Sequence, residues 1–296
     1  MRRIARIGGH RRRRVAFTLL ESLPAPLQSA LARLRLAVAG HPAVVVAYSG
    51  GVDSALVAAI AVEQLGERAL AVTGVSPALA SHLRLEARQQ ARWLGIAHRE
   101  VATAELDDPA YAANPSDRCY ACKRELHGVL APIAAAAGGA SVLDGVNHDD
   151  LGDHRPGLRA AREHGVSSPL AESGINKDGV RRLSRALGLP WWDKPANPCL
   201  ASRVAYGEPI TAERLARVAA AEDWLRQQDF VELRVRSHGQ TARIELPSHQ
   251  LDRALERWRD PHQRQGLVRA FRELGFTAVG LDLEGLVSGK LNRDLA

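Results

Sequence analysis

Ala43-Val44-Val45-Val46-Ala47-Tyr48-Ser49-Gly50-Gly51-Val52-Asp53-Ser54 is the stretch that decides the fold. Its first six residues form an apolar, β-branched run, the pattern of a buried strand. Ala55 to Leu65 continue with apolar residues at helical spacing. Strand, glycine-rich turn and helix start therefore follow in order. Such a turn aims backbone N–H groups and the positive end of a helix dipole at one point, which suits phosphate. Gly50 and Gly51 allow the backbone to approach a ligand closely. Ser49 and Ser54 add hydroxyl donors. Asp53 would repel phosphate, so its expected role is to hold Mg²⁺ or to orient a neighbour. A Walker A loop needs G-x-x-x-x-G-K-[ST], and this stretch does not supply it.

Working outward, helices are expected over 26–38, 54–65, 81–94 and 122–137, with strands at 43–48, 69–75, about 98–101 and 141–143. The alternation predicts a doubly wound α/β sheet with its ligand at the C-terminal strand ends. Residues 145–210 read as irregular and should frame the site. A helix over 212–227, strands near 231–236 and 241–246, a long helix over about 248–273 and a strand at 277–283 predict a smaller α+β unit. The expected division is a basic tail over 1–22, a nucleotide-binding domain over 23–210 and a C-terminal domain over 211–296.

The chain has 296 residues and a formal net charge of +7, but seven arginines and no acid lie within residues 1–14. The remainder balances at 33 basic and 33 acidic residues, which argues against a basic face for nucleic acid. The tail is expected to be disordered. No apolar run approaches the ~20 residues that span a bilayer, and the apolar stretch after Arg14 is too short for a secretory signal. A cytoplasmic protein is expected. Its three cysteines cannot make a disulfide framework, and in that compartment such cysteines more often bind metal or act in catalysis.

Cys119-Tyr120-Ala121-Cys122 reads as lying on a loop that leads into a helix, and Cys199 stands far downstream. Three thiolates suit an iron–sulfur cluster with one iron left open. A Cys₃His zinc site, with His127, His148 or His154 as fourth ligand, is the rival. Arg234 and Arg236 alternate along a strand, so they share a face. Two fixed guanidiniums suit a substrate phosphate or carboxylate, or else pair with Glu245. Arg203, near Cys199, is expected to bind a substrate anion. Asp149 and Asp150 suit Mg²⁺ or the capping of a turn. Arg155 suits phosphate or an ion pair with Asp153.

The Ser49–Ser54 turn resembles the pyrophosphate loop of the PP-loop ATP pyrophosphatases. Wider stretches are similar to the LarE family: Asn114-Pro115-Ser116-Asp117-Arg118-Cys119, Asp144-Gly145-Val146-Asn147-His148, Lys194-Pro195-Ala196-Asn197-Pro198-Cys199, Tyr206-Gly207-Glu208-Pro209, Arg234-Val235-Arg236 and Leu281-Asp282-Leu283-Glu284-Gly285. The resemblance runs in order from about residue 25 to the end. It implies a HUP/PP-loop type sheet. It also implies an ATP-dependent sulfurtransferase that adenylates both carboxylates of pyridinium-3,5-biscarboxylate mononucleotide and replaces oxygen with sulfur, a step in nickel-pincer nucleotide cofactor synthesis. On this resemblance Ser49, Gly50, Gly51, Asp53 and Ser54 bind ATP, with Mg²⁺ and Asp150 as its possible ligand. Arg203, Arg234, Arg236 and Glu245 bind the nucleotide substrate.

Members with a single cysteine at the position of Cys199 give up its sulfur. Cys119 and Cys122 place this chain with the three-cysteine branch, which implies a [4Fe–4S] cluster on Cys119, Cys122 and Cys199 that carries sulfide. Sacrificial use of Cys199 is the alternative. A PP-loop tRNA thiolase, an amide-forming PP-loop ligase and a metal-binding regulator are further alternatives; the neutral body and the cysteine triad argue against the first two. A homo-oligomer is expected, with neither nucleic acid nor membrane as partner.

Overall fold

The computed structural model describes residues 16–152, 156–287 and 289–295. The chain runs α1 (Ala25–Ala39), β1 (Val44–Ala47), α2 (Val52–Leu65), β2 (Ala69–Val75), α3 (Ser81–Leu94), β3 (Ala97–Ala102), α4 (Pro109–Ala112), α5 (Arg118–Ala136) and β4 (Ser141–Leu143). The four strands are parallel in the order β3-β2-β1-β4. From β1 the chain therefore steps outward to β2 and β3, then returns to the far side of β1 as β4. The switch in direction between β1 and β4 opens a crevice at their C-terminal ends, where ligands of such sheets bind.

Every residue of β1 is buried. Val44 and Val46 join a core with α1, α2 and α3, whereas Val45 and Ala47 join another with Leu130 and Ala134 of α5. Alternate side chains thus meet helices on opposite faces, as a doubly wound sheet requires. The edge strand β3 carries His98, Arg99 and Glu100, and charge of this kind discourages pairing with another chain.

Beyond β4 come α6 (Gly157–Glu163), α7 (Pro169–Glu172) and α8 (Lys177–Ala186), so the stretch expected to be irregular is partly helical. Then follow α9 (Ala212–Gln227), β5 (Arg234–His238), β6 (Thr241–Glu245), α10 (Ser248–Arg259), α11 (Pro261–Glu273) and β7 (Ala278–Leu281). The second sheet has the order β5-β6-β7, with β5 antiparallel and β7 parallel to β6. Its core combines Leu215, Val218, Val235, Ile244 and Phe271 with Ala78, Tyr111, Ala121 and Leu200 from earlier in the chain. The segments that carry the cysteines are thereby packed against the second sheet.

Two expected elements differ. The single helix over 248–273 is broken at Asp260, which is extended (ψ 125°), because Pro261 disfavours helix in the residue before it. The Asp260 carboxylate then caps α11 through the His262 and Gln263 N–H groups. Helix α5 begins at Arg118 rather than at 122, so Cys119 and Cys122 lie in its first turns and not on a loop.

Of the expected tail over 1–22, residues 1–15 lie outside the described residues. Phe17 packs on the first core and stacks on Trp93 at 6.2 Å. Among the described residues no helix is long and apolar enough to cross a membrane.

Candidate active site

The turn between β1 and α2 closes on itself through its serines. Ser49 Oγ lies 3.0 Å from Ser54 Oγ and accepts from the Gly51 N–H at 3.3 Å, and Ser54 Oγ donates to the Gly51 carbonyl at 3.1 Å. Gly50 has φ +71°, and a Cβ there would meet Ala87 Cα of α3 at 3.1 Å, so only glycine fits. No side chain caps α2 at Gly51, which leaves the first N–H groups of the helix directed at the crevice. Across the crevice, a Cβ on Gly145 after β4 would stand 2.7 Å from the Ser54 nitrogen. The two strand ends are therefore in backbone contact at the switch point.

Asp53 is held from the far side of the crevice. Lys177 Nζ donates to its Oδ2 at 2.5 Å and Asn147 Nδ2 to its Oδ1 at 3.2 Å. Lys194 Nζ donates to the Gly50 carbonyl at 3.1 Å and pairs with Glu86 at 2.5 Å. Lys177, Lys194 and Asn147 were not expected among the site residues. Asp150 is buried and its Oδ2 accepts from the Asn147 N–H at 3.1 Å, which is the turn-capping alternative for this residue. Asp149 Oδ2 accepts from the Lys177 N–H at 3.0 Å. Asp153, His154 and Arg155, together with the arginines of residues 1–14, lie outside the described residues.

The three cysteines lie near one another. Cys119 and Cys199 are exposed and Cys122 is half-buried. Burial pushes the Cys122 thiol up to about 12, and the neighbouring Cys199, Glu105 and Cys119 act in the same direction. Burial likewise raises Tyr111, with Cys199, Cys122 and Glu105 adding to it. Thiols are the right donors for an iron–sulfur cluster. Among the described residues, however, no three His, Cys, Asp or Glu side chains are gathered closely enough to hold one metal ion. His127, a possible zinc ligand by sequence, is buried beside His164 at 5.9 Å between ring centroids.

Two buried guanidiniums clamp the Cys199 loop. Arg203 is 1% exposed; its Nε donates to Glu222 at 2.8 Å and its Nη1 to the Pro198 carbonyl at 2.6 Å and the Cys199 carbonyl at 3.3 Å. Arg236 donates to Glu245 at 2.9 Å and to the Ser202 carbonyl at 2.6 Å. Arg203, Arg236 and Glu245 were expected to meet substrate; here they bond to protein, because Glu222 and Glu245 are buried and each needs a cation. Arg234 is different. Its side chain makes no hydrogen bond among the described residues, and it lines a cavity of about 620 Å³ with His82, Trp93, Lys194 and Asn197. Burial lowers its pKa to about 10, helped by Arg203 and Arg236.

The NAD synthase family matches residues 28–112, the part that holds the β1–α2 turn. A protein of Synechocystis sp. without an assigned function is 52% identical over 269 residues, covering 91% of this chain and 99% of its own. The pyridinium-3,5-bisthiocarboxylic acid mononucleotide synthase of Lactiplantibacillus plantarum is 38% identical over 253 residues, 85% of this chain and 90% of its own. A Methanocaldococcus jannaschii protein, also without an assigned function, is 27% identical over 241 residues, 81% of this chain and 89% of its own. With the nucleotide loop at the switch point and this extent of identity, the chain belongs to the LarE family of PP-loop ATP-dependent sulfurtransferases.

Proposed function

We propose that this chain adenylates the two carboxylates of pyridinium-3,5-biscarboxylate mononucleotide with ATP and replaces one oxygen of each with sulfur, giving the thiocarboxylates of nickel-pincer cofactor synthesis. A carboxylate is a poor electrophile, and its adenylate has AMP as a leaving group. The observation that carries the reading is that one end of the parallel sheet holds both the Ser49–Ser54 turn and the loop of Cys199. Lys194 ties them, since it bonds to Gly50 and lies five residues before that cysteine. The name of the Lactiplantibacillus relative supports the product.

In this reading Ser49, Gly50, Gly51 and Ser54 bind the phosphates, and Asp53 serves Mg²⁺. Arg234, whose side chain has no acceptor among the described residues, binds an anionic group of the nucleotide substrate in the adjoining cavity. Cys119, Cys122 and Cys199 would hold a [4Fe–4S] cluster, and that cluster would supply the sulfide. The second reading is sacrificial use of the Cys199 sulfur. It is favoured by the exposure of Cys199 and by the absence of a gathered ligand set among the described residues.

Anaerobically purified protein separates the two. The cluster reading expects iron that is lost from each Cys→Ala variant and sulfide-dependent turnover. Iron-free protein with a mass loss at Cys199 after one turnover would overturn it. AMP formation with tRNA or ammonia as the acceptor, and none with the pyridinium nucleotide, would overturn the substrate.

A further inference from the structure

The ion pair between Asp53 and Lys177 sits where a nucleotide phosphate would approach. Asp53 lies in the first turn of α2, the helix whose N–H groups point into the crevice. Both of its oxygens are engaged, one by Lys177 Nζ at 2.5 Å and one by Asn147 Nδ2 at 3.2 Å. The backbone of Lys177 is fixed: its N–H donates to Asp149 Oδ2 at 3.0 Å, Asn176 caps α8 through the Gly179 N–H at 2.9 Å, and the His148 N–H donates to the Ile175 carbonyl at 2.8 Å. Only its side chain is free to move. That side chain is 38% exposed and that of Asp53 21%, so the pair contributes little to stability.

A phosphate held at the start of α2 would lie beside the Asp53 carboxylate and be repelled unless a cation lies between them. Lys194 is already bonded to Glu86 and the Gly50 carbonyl. Lys177 can reach the carboxylate from its anchored backbone, and a swing of the same flexible stem carries its ammonium toward an incoming phosphate.

We propose that Lys177 is a nucleotide-phosphate ligand that exchanges places with Mg²⁺ at Asp53. Without nucleotide, its ammonium neutralises the carboxylate and keeps free Mg²⁺ off. When Mg²⁺–ATP enters, the ammonium transfers to the polyphosphate and the released Asp53 oxygen takes the metal. Cation and nucleotide therefore enter together. No bond is made or broken in this exchange. The inference rests on the ATP reading above.

The test compares the parent with Lys177→Met and Lys177→Arg. The probes are Mn²⁺ alone, followed by its spin resonance, and a non-hydrolysable ATP analogue with Mg²⁺, followed by calorimetry. Lys177→Met should bind the analogue about tenfold or more weakly and Mn²⁺ alone several-fold more tightly. Lys177→Arg should restore most of the analogue binding. A purely structural lysine would move both ligands in the same direction. Unchanged analogue affinity, or Mn²⁺ binding that is unchanged or weaker in Lys177→Met, overturns the exchange while leaving ATP use intact. A parent protein that does not bind the analogue overturns the ATP reading and the exchange with it.

Discussion

Replacing Arg203 with methionine separates a substrate ligand from a clamp. Methionine keeps a long, unbranched stem and removes the guanidinium. The variant loses two bonds to Glu222, at 2.8 and 3.3 Å, and those to the Pro198 and Cys199 carbonyls and the Asn197 amide. Breaking a fully buried ion pair by removing one partner costs about 3–5 kcal/mol, because the remaining charge is stranded. Burial would raise the Glu222 pKa, but Arg203 and then Arg226 hold it below its ordinary value. Arg226 at 2.9 Å and the Val235 N–H at 3.2 Å remain in the variant, so the cost should fall at the low end, about 3 kcal/mol. Native stability is roughly 5–15 kcal/mol, so this is a large share. The assay is denaturant unfolding, with a lowered midpoint and an unchanged slope. Exchanging Glu222 for leucine as well should recover part of the loss. A variant within about 0.5 kcal/mol of the parent, yet unable to bind the nucleotide substrate, would refute the clamp and return Arg203 to the substrate.

Gly145→Ala should weaken binding of an ATP analogue about tenfold or more, because the new methyl meets the Ser54 nitrogen at 2.7 Å, whereas Gly266→Ala, with open space at its Cβ, should leave binding unchanged; calorimetry on both checks this. Arg234→Ala should weaken binding of the nucleotide substrate with little loss of stability, and Arg236→Ala should destabilise instead, since its charge faces Glu245 in the interior; binding and unfolding curves for the pair distinguish these outcomes. Burial, with Lys123 and His164, lowers the His127 pKa to about 4. The unfolded chain therefore takes up a proton near the ordinary value of about 6.5, before the folded one does, and stability is lost as pH falls from there toward 4, by up to about 3 kcal/mol. His127→Phe should flatten that acid limb of the stability curve, and an unchanged limb would contradict the assignment.

The nucleotide loop was legible because its strand, turn and helix are contiguous, so local pattern and tertiary role coincide. The doubly wound sheet followed from the same alternation. Lys177 and Lys194 were not legible as site residues, since each reaches the loop only through the topology: α8 carries one across from beyond β4, and the Pro190–Asn197 segment carries the other. The break at Asp260-Pro261 was readable from the proline, but the surrounding amphipathic spacing outweighed it. The arginine clamps left one sequence signal, Glu222 standing on the apolar stripe of α9 with Leu215, Val218 and Leu225. A charge on that face must find a buried partner. Which arginine supplies it depends on the packing of the Cys199 loop against the second sheet. The three cysteines could be read as one neighbourhood, although the start of α5 at Arg118 was hidden by the proline and aspartate before it.

The most direct test of the account counts products. Protein is incubated with Mg²⁺, ATP, a sulfur source and pyridinium-3,5-biscarboxylate mononucleotide, while mass spectrometry follows the acceptor and pyrophosphate is measured in parallel. Each replacement of oxygen by sulfur should be matched by one AMP and one pyrophosphate, and Asp53→Ala should yield neither. Release of ADP and phosphate, or an acceptor that gains no sulfur while pyrophosphate accumulates, would contradict it.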